Sequence, residues 1–131
     1  MKCKTFMVCE AAFIDSKTNN LSLINILDEI AAQGLPVIIP KLFTVAVIER
    51  EMKEKATPEF ILRITQGKKK LVDQRVKIDF QGKKRVRQLI EFHGFALHKP
   101  GDLHFRLNYQ GRKFAEYVLT FNVNAGPSKD Q

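Results

Sequence analysis

Ten basic side chains crowd into one stretch of the chain: Arg63, Lys68, Lys69, Lys70, Arg75, Lys77, Lys83, Lys84, Arg85 and Arg87. Only Asp73 and Asp79 oppose them, so this stretch holds the whole net charge of +8 and the remaining residues cancel. An excess of that size sets a field felt about 8 to 10 Å away in physiological salt, and it draws anionic partners. Arginine grips phosphate or carboxylate through two parallel bonds, whereas lysine acts as a point charge. We therefore take Arg63, Lys68, Lys69, Lys70, Arg75, Lys83, Lys84, Arg85 and Arg87 as a candidate anion or polyanion surface. Such a footprint tracks a nucleic-acid backbone and does not read bases. Single-strand binders set aromatic platforms beside the charge, and the outward positions here are Ile61, Thr65, Asp73 and Leu89. The competing reading is that charged turns and edges keep strands soluble.

Other residues capable of chemistry converge less well. Cys3 and Cys9 lie six apart on one strand face, about 20 Å from each other at 3.3 Å per residue, too far to bridge. They read as small buried hydrophobes in a reducing compartment, with a reactive thiol at Cys9 as the alternative. His93, His98 and His104 lack metal-ligand spacing. No nucleophile signature, phosphate loop or metal motif is present, so no catalytic residue, metal or cofactor is assigned. An enzyme built on Cys9 or the histidines stays a minor alternative, because sites assemble from distant residues.

What must position these groups is a sheet architecture. The chain has 131 residues, 44% of them hydrophobic, with ten Phe, and it is long enough to bury about two thirds of its unfolded surface. One domain is expected over residues 1–124, with a flexible tail over 125–131. Glu10 interrupts the early apolar run, which argues against a signal peptide, and no run approaches the roughly 18 residues of a membrane span. A cytoplasmic protein is expected.

Period-two alternation broken by turn residues gives eight strands: 4–14, 21–30, 42–49, 59–66, 72–80, 86–98, 103–109 and 113–123. Residues 27–33 offer a helical turn as an alternative, soon stopped by Gly34 and Pro36. Register follows from matching core to core. Pairing Tyr109 with Lys113 sets Leu107 opposite Ala115, Phe105 opposite Tyr117 and Leu103 opposite Leu119, while Arg106 meets Glu116. Pairing His98 with Leu103 aligns Ala96 with Phe105. Ile64 against Gln74 puts Leu62 opposite Val76 and Phe60 opposite Ile78, and Phe80 against Val86 continues the series. The result is an antiparallel meander of five strands over 59–123, of which a two-sheet arrangement could hand one to the other sheet. In this register Arg63 faces Arg75 with Glu91 beside them, a like-charge pair that a bound anion would relieve.

A ligand-holding barrel fits the length too, but the chain has no Trp for a lipocalin signature and only a turn at 15–20 where fatty-acid binders carry two helices. An antiparallel β-sandwich of about eight strands, Ig-like in architecture, is preferred.

The run Cys9-Glu10-Ala11-Ala12, Asp15, Asn20-Leu21-Ser22-Leu23-Ile24-Asn25-Ile26-Leu27-Asp28-Glu29-Ile30, then Leu35-Pro36 and Pro40, resembles the opening of an uncharacterised family of small bacterial proteins. Pro100-Gly101, Phe105, Leu107, Gly111, Leu119 and Val123 are similar to that family's last hairpin. The resemblance implies an all-β sandwich with no assigned activity. Asn25 departs from the Gly of that pattern, and the 63–87 charge lies outside it. These readings combine into a non-enzymatic binding or assembly module, with a protein partner or a homodimer as its form of association, no membrane contact, and nucleic acid or another polyanion as the alternative ligand.

Overall fold

Nine strands build the fold in a computed structural model that describes residues 1–124: β1 (Lys2–Ile14), β2 (Leu21–Ile26), β3 (Glu29–Ala32), β4 (Val37–Glu49), β5 (Glu59–Gln66), β6 (Lys69–Lys77), β7 (Arg85–Leu97), β8 (Gly101–Tyr109) and β9 (Arg112–Val123). The expected tail, 125–131, lies outside the described residues. The strands form two sheets, ordered β2-β1-β4-β7 and β3-β9-β8-β5-β6. Every pairing is antiparallel except β3 with β9. Among the described residues no helix is long and apolar enough to cross a membrane.

Nine strands replace the expected eight because the 21–30 segment breaks in two. Asn25 takes a positive φ of 56°, which kinks the strand; one further pair, Ile26 with Cys9, follows, and the Leu27 amide bonds to the Val8 carbonyl at 2.8 Å before the chain leaves. β3 departs for the other sheet and lies parallel to β9, so no helical turn forms there. Tyr117 fixes the crossing by donating its hydroxyl to the Leu27 carbonyl at 2.8 Å.

The β8–β9 hairpin keeps the expected rows, with Leu103 opposite Leu119, Phe105 opposite Tyr117, Leu107 opposite Ala115 and Arg106 opposite Glu116. Its loop is tighter than the three residues anticipated. Tyr109 pairs with Arg112 across Gln110 and Gly111, whose positive φ values (52° and 77°) suit a two-residue hairpin turn. The ladder shifts between Leu107 and Asn108, leaving Phe114 between the paired Lys113 and Ala115, and its ring packs 5.1 Å from that of Phe60.

The other two registers need correction. β5 pairs β6 with Phe60 opposite Val76, Leu62 opposite Gln74 and Ile64 opposite Val72, two residues from the expected alignment. A slip of two preserves every face, and Gly67 at φ 60° closes the turn with only Lys68 beside it. The five-strand meander does not form. β7 pairs neither β6 nor β8; it lies along β4 from Val37–Leu97 to Glu49–Arg85, and β8 pairs β5. After Ile78 and Phe80, whose amides bond to the Pro58 and Ala56 carbonyls, Gln81 and Gly82 turn with positive φ and release the chain to the opposite sheet.

Two buried clusters fill the space, each drawing side chains from both sheets. One contains Val8, Leu42, Ile64, Leu97, Phe105 and Phe121; the other contains Ala46, Ile48, Phe60, Val76, Ile78 and Phe80. At about 25 cal/mol per Å² of apolar surface, the four fully buried phenylalanines among them (Phe60, Phe80, Phe105 and Phe121) are large contributors to stability.

A single charged side chain closes one end of this core. Arg50 is 4% exposed, and its guanidinium lies 5.1 Å from the centre of the Phe80 ring. It donates from Nε to the Lys83 carbonyl and from Nη1 to the Glu54 carbonyl, both at 2.9 Å. It thereby ties the loop after β4 to the connection between β6 and β7. We expect Arg50→Ala to lower unfolding free energy by about 2–4 kcal/mol, because it strips donors from buried carbonyls and empties space against Phe80. Urea denaturation measures this, and Arg50→Lys, which lacks the planar fork, should recover less than half.

Candidate functional site

The basic residues occupy two sheet edges and the chain that joins them. β6 ends the five-stranded sheet and β7 ends the four-stranded one. Lys68 sits in the β5–β6 turn, Lys69, Lys70 and Arg75 lie on β6, Lys83 and Lys84 lie in the connection, and Arg85 and Arg87 open β7. Arg63 alone is interior, on β5. At 3.3 Å per residue the turn at Lys68 and the connection at Lys83 stand about 30 Å apart, so the charge forms two poles joined along β6.

Local acids already engage several of these groups. Lys70 reaches Asp73 at 3.1 Å and Arg63 reaches it at 3.4 Å; the Lys70 bond, followed by the Arg63 charge, holds the Asp73 carboxyl below its usual range. Arg85 binds Glu49 through Nη2 and Nε, and this contact lowers the Glu49 pKa. Arg87 donates Nη1 to the Asn19 carbonyl at 2.7 Å. Lys68, Lys69, Arg75, Lys77, Lys83 and Lys84 have no acid within ion-pair distance among the described residues. Lys77, Lys83, Arg85 and Arg87 line one open groove together with Asp79, Phe80 and Asn19.

The expected Arg63–Arg75 pair is not present: the two-residue slip sets Ile61 opposite Arg75 and Asp73 opposite Arg63. Glu91 is not beside them, because β7 carries it into the other sheet, where it meets His93 at 2.7 Å and Lys41 at 3.5 Å. A different like-charge pair appears, Arg63 directly opposite Arg106 on β8. It completes a row across four strands, Asp73, Arg63, Arg106, Glu116, with the acids outermost. Glu116 accepts from Arg106 at 2.6 Å, from His104 at 3.3 Å and from Lys113 at 3.5 Å. The row therefore satisfies itself, although Arg63 Nε is buried without a partner.

Neither thiol is activated. Cys9 is fully buried, Cys3 donates Sγ–H to the Thr5 carbonyl at 3.1 Å, and burial pushes both pKa values up, opposite to what a nucleophile requires. Among the described residues no three His, Cys, Asp or Glu side chains converge.

Reading the sequence alone missed a second surface, the β1–β2 hairpin. Phe13, Ile24 and Ile26 are 49%, 46% and 49% exposed, and the register that pairs Ala11 with Ile24 and Cys9 with Ile26 sets all three on one face. Ile14 is exposed too, but on the other face, where it lines the basic groove. The signal available was the absence of any charge from Leu21 to Leu27. The hairpin leans back toward β7, where its tip meets Arg87.

With this geometry in hand, comparison with known proteins adds one result. A family of unknown function, DUF6941, matches residues 4–122. The chain belongs to that family. No curated protein matches it. The match reaches into every strand of both sheets, so the exposed hairpin and the basic edges both lie on the family's domain.

The charged row predicts an acid-side stability loss. The folded-state pKa of Glu116 is depressed, first by Arg106, so its contribution is complete above the unfolded value of about 4.3 and disappears as pH falls through the folded value. Thermal melts of Glu116→Gln should show a shallower drop below about pH 5 than wild type. Equal slopes would mean that Glu116 does not contribute to the loss.

Proposed function

We propose that this protein is a non-enzymatic binding or assembly module of the cytoplasm, and that its association surface is the apolar face of the β1–β2 hairpin. One observation carries the reading. Three large apolar side chains, Phe13, Ile24 and Ile26, stand about half exposed on one face of a single two-stranded element, whereas the exposed Leu35, Ile38, Met52 and Val118 lie on other segments of the chain. Contiguous exposed apolar surface marks an interaction site. Two shared buried clusters between the sheets support a β-sandwich, Ig-like in architecture, formed by one domain over residues 1–124. Two free cysteines fit a reducing compartment.

The basic groove favours a second reading, that of a polyanion binder. Lys77, Lys83, Arg85 and Arg87 converge there, although Glu49 occupies Arg85 and the groove has no stacking ring beyond the buried Phe80. The charge is therefore read first as protection of two exposed strand edges.

Photocrosslinking separates surface from solvent. A benzoylphenylalanine placed at Phe13 in living cells should give adducts that the same group at Val118, an exposed apolar position on β9, does not. Equal labelling at both positions, or none, overturns the reading. For the second reading, fluorescence anisotropy with labelled oligonucleotides is measured at about 50 and 200 mM salt. Binding that weakens with salt and is lost when Lys68, Lys69, Lys83 and Lys84 become Gln would move the polyanion reading to first place.

A further inference from the structure

The basic groove is walled by separate segments of the chain. Lys77 comes from the end of β6, Lys83 from the link between the sheets, Arg85 and Arg87 from the start of β7, and Ile14 and Asn19 from the tip of the β1–β2 hairpin. Its volume is about 690 Å³, within the range of small-ligand sites. Four cations against the single acid Asp79 leave its lining with an excess of three positive charges. The rest of the chain engages them only in part. Asp79 turns its Oδ1 to the Gln81 amide at 2.8 Å, within its own turn, and Glu49, outside the groove, takes Nε and Nη2 of Arg85. Arg87 is half-buried and donates Nη1 to the Asn19 carbonyl at 2.7 Å, a bond that fixes its guanidinium without neutralising it. Lys77 and Lys83 are exposed, and neither has an acid within ion-pair distance among the described residues. Like charges gathered in this way repel one another, and an anion among them relieves the repulsion.

We propose that this groove binds a compact polyphosphate chain, whether free or at the end of a nucleoside, held by Lys77, Lys83 and Arg87. This rests on the polyanion reading above and names its ligand. Phosphate fits the groove better than carboxylate does. The cations approach from different segments, and a chain of tetrahedral phosphates offers oxygens in several directions, whereas a carboxylate offers two in one plane. A single phosphate carries about −1.5 to −2 at neutral pH, so two or three linked phosphates answer the excess charge of the lining. The ligand is compact because the other basic pole, at Lys68, stands about 30 Å away along β6, beyond the reach of a molecule lying in the groove. No aromatic face is open to a base there, since Phe80 is 1% exposed, so recognition falls on the phosphates.

Isothermal titration calorimetry of the purified chain with tripolyphosphate tests it, at about 50 mM salt and without divalent metal. The proposal expects one ligand per chain. Lys77→Gln combined with Lys83→Gln should weaken binding by about tenfold or more, whereas Lys68→Gln combined with Lys69→Gln, at the far pole, should change it by less than about twofold. Lys77 and Lys83 are exposed, and the bonds that Lys83 makes to Arg50 and Phe80 run through its backbone, so the first variant should keep the wild-type thermal melt. Adenosine triphosphate should bind within about threefold of tripolyphosphate, because the groove holds no base, and citrate should bind at least about tenfold more weakly. Absence of tripolyphosphate binding, equal losses in the two double variants, a larger preference for the nucleoside, or citrate binding as tight as that of tripolyphosphate overturns the proposal. The wider reading fails separately: salt-sensitive oligonucleotide binding without tripolyphosphate binding sinks only the compact ligand, whereas absence of both sinks the polyanion reading as well.

Discussion

The pairing of β4 with β7 is the constraint on which the rest depends. Both strands are thirteen residues long, and they stay in register from Val37–Leu97 to Glu49–Arg85. A ladder of that length holds β7 in the four-stranded sheet, although the sequence between β6 and β7 is short enough for a hairpin. Once β7 has crossed, β6 has lost its sequence neighbour and ends its own sheet. β8, with no β7 to pair, takes β5 instead. The basic stretch is then divided between two free edges, and its Lys83 and Lys84 fall in the link between sheets. A hairpin between β6 and β7 would have placed the same charges in an interior row. The distribution of charge on the surface is therefore a consequence of topology.

That topology explains why most of the basic groups lack acids. Interior strands provide cross-strand partners on both sides, and Arg63 on β5 accordingly lies between Asp73 and Arg106 within a balanced row. An edge strand has neighbours on one side only, so Arg75 and Lys77 on β6 face solvent beyond it. Solvated charge at such positions contributes little to folding, and it disfavours edge-to-edge contact between copies that carry the same sign. β2 lacks this device, and its hairpin exposes apolar side chains on the same element. One rule of strand chemistry, charge where pairing is unwanted, thus accounts for the basic edges, and β2 is the edge that carries no charge.

How far the sequence discloses this arrangement varies by element. The β8–β9 hairpin is legible because two independent rows agree, apolar Leu103, Phe105 and Leu107 on one face and the Arg106–Glu116 pair on the other. For β5–β6 the faces are legible but the register is not, since alternation of period two is unchanged by a slip of two, and the short Gly67 turn decides between alignments. The partner of β7 is hidden, because Val86 and Ile90 match the apolar spacing of β6 as well as that of β4. Local pattern carries no information on which distant strand will come alongside. The break at Asn25 is foreshadowed only by a residue type that tolerates positive φ. As for the candidate surfaces, the charge of 63–87 is conspicuous in composition, whereas the hairpin is not. An alternating strand is read as having one buried face, and nothing in Phe13, Ile24 and Ile26 themselves says that this face is left open.

Arg63 is the residue at which sequence pattern and topology meet. Like charges set directly opposite weaken a sheet unless acids flank them, and the sequence pattern supplied Arg75 as the offending neighbour. In the fold the neighbour is Arg106, 43 residues further along the chain, and the flanking acids come from two further strands. A guanidinium row balanced this way needs no bound anion. It also depends on β6, β5, β8 and β9 lying side by side, an order that exists only because β7 has left. The electrostatic fit on the outer face and the apolar fit of β4 to β7 in the other sheet are thus two results of the same crossing, and each favours the topology that the other requires.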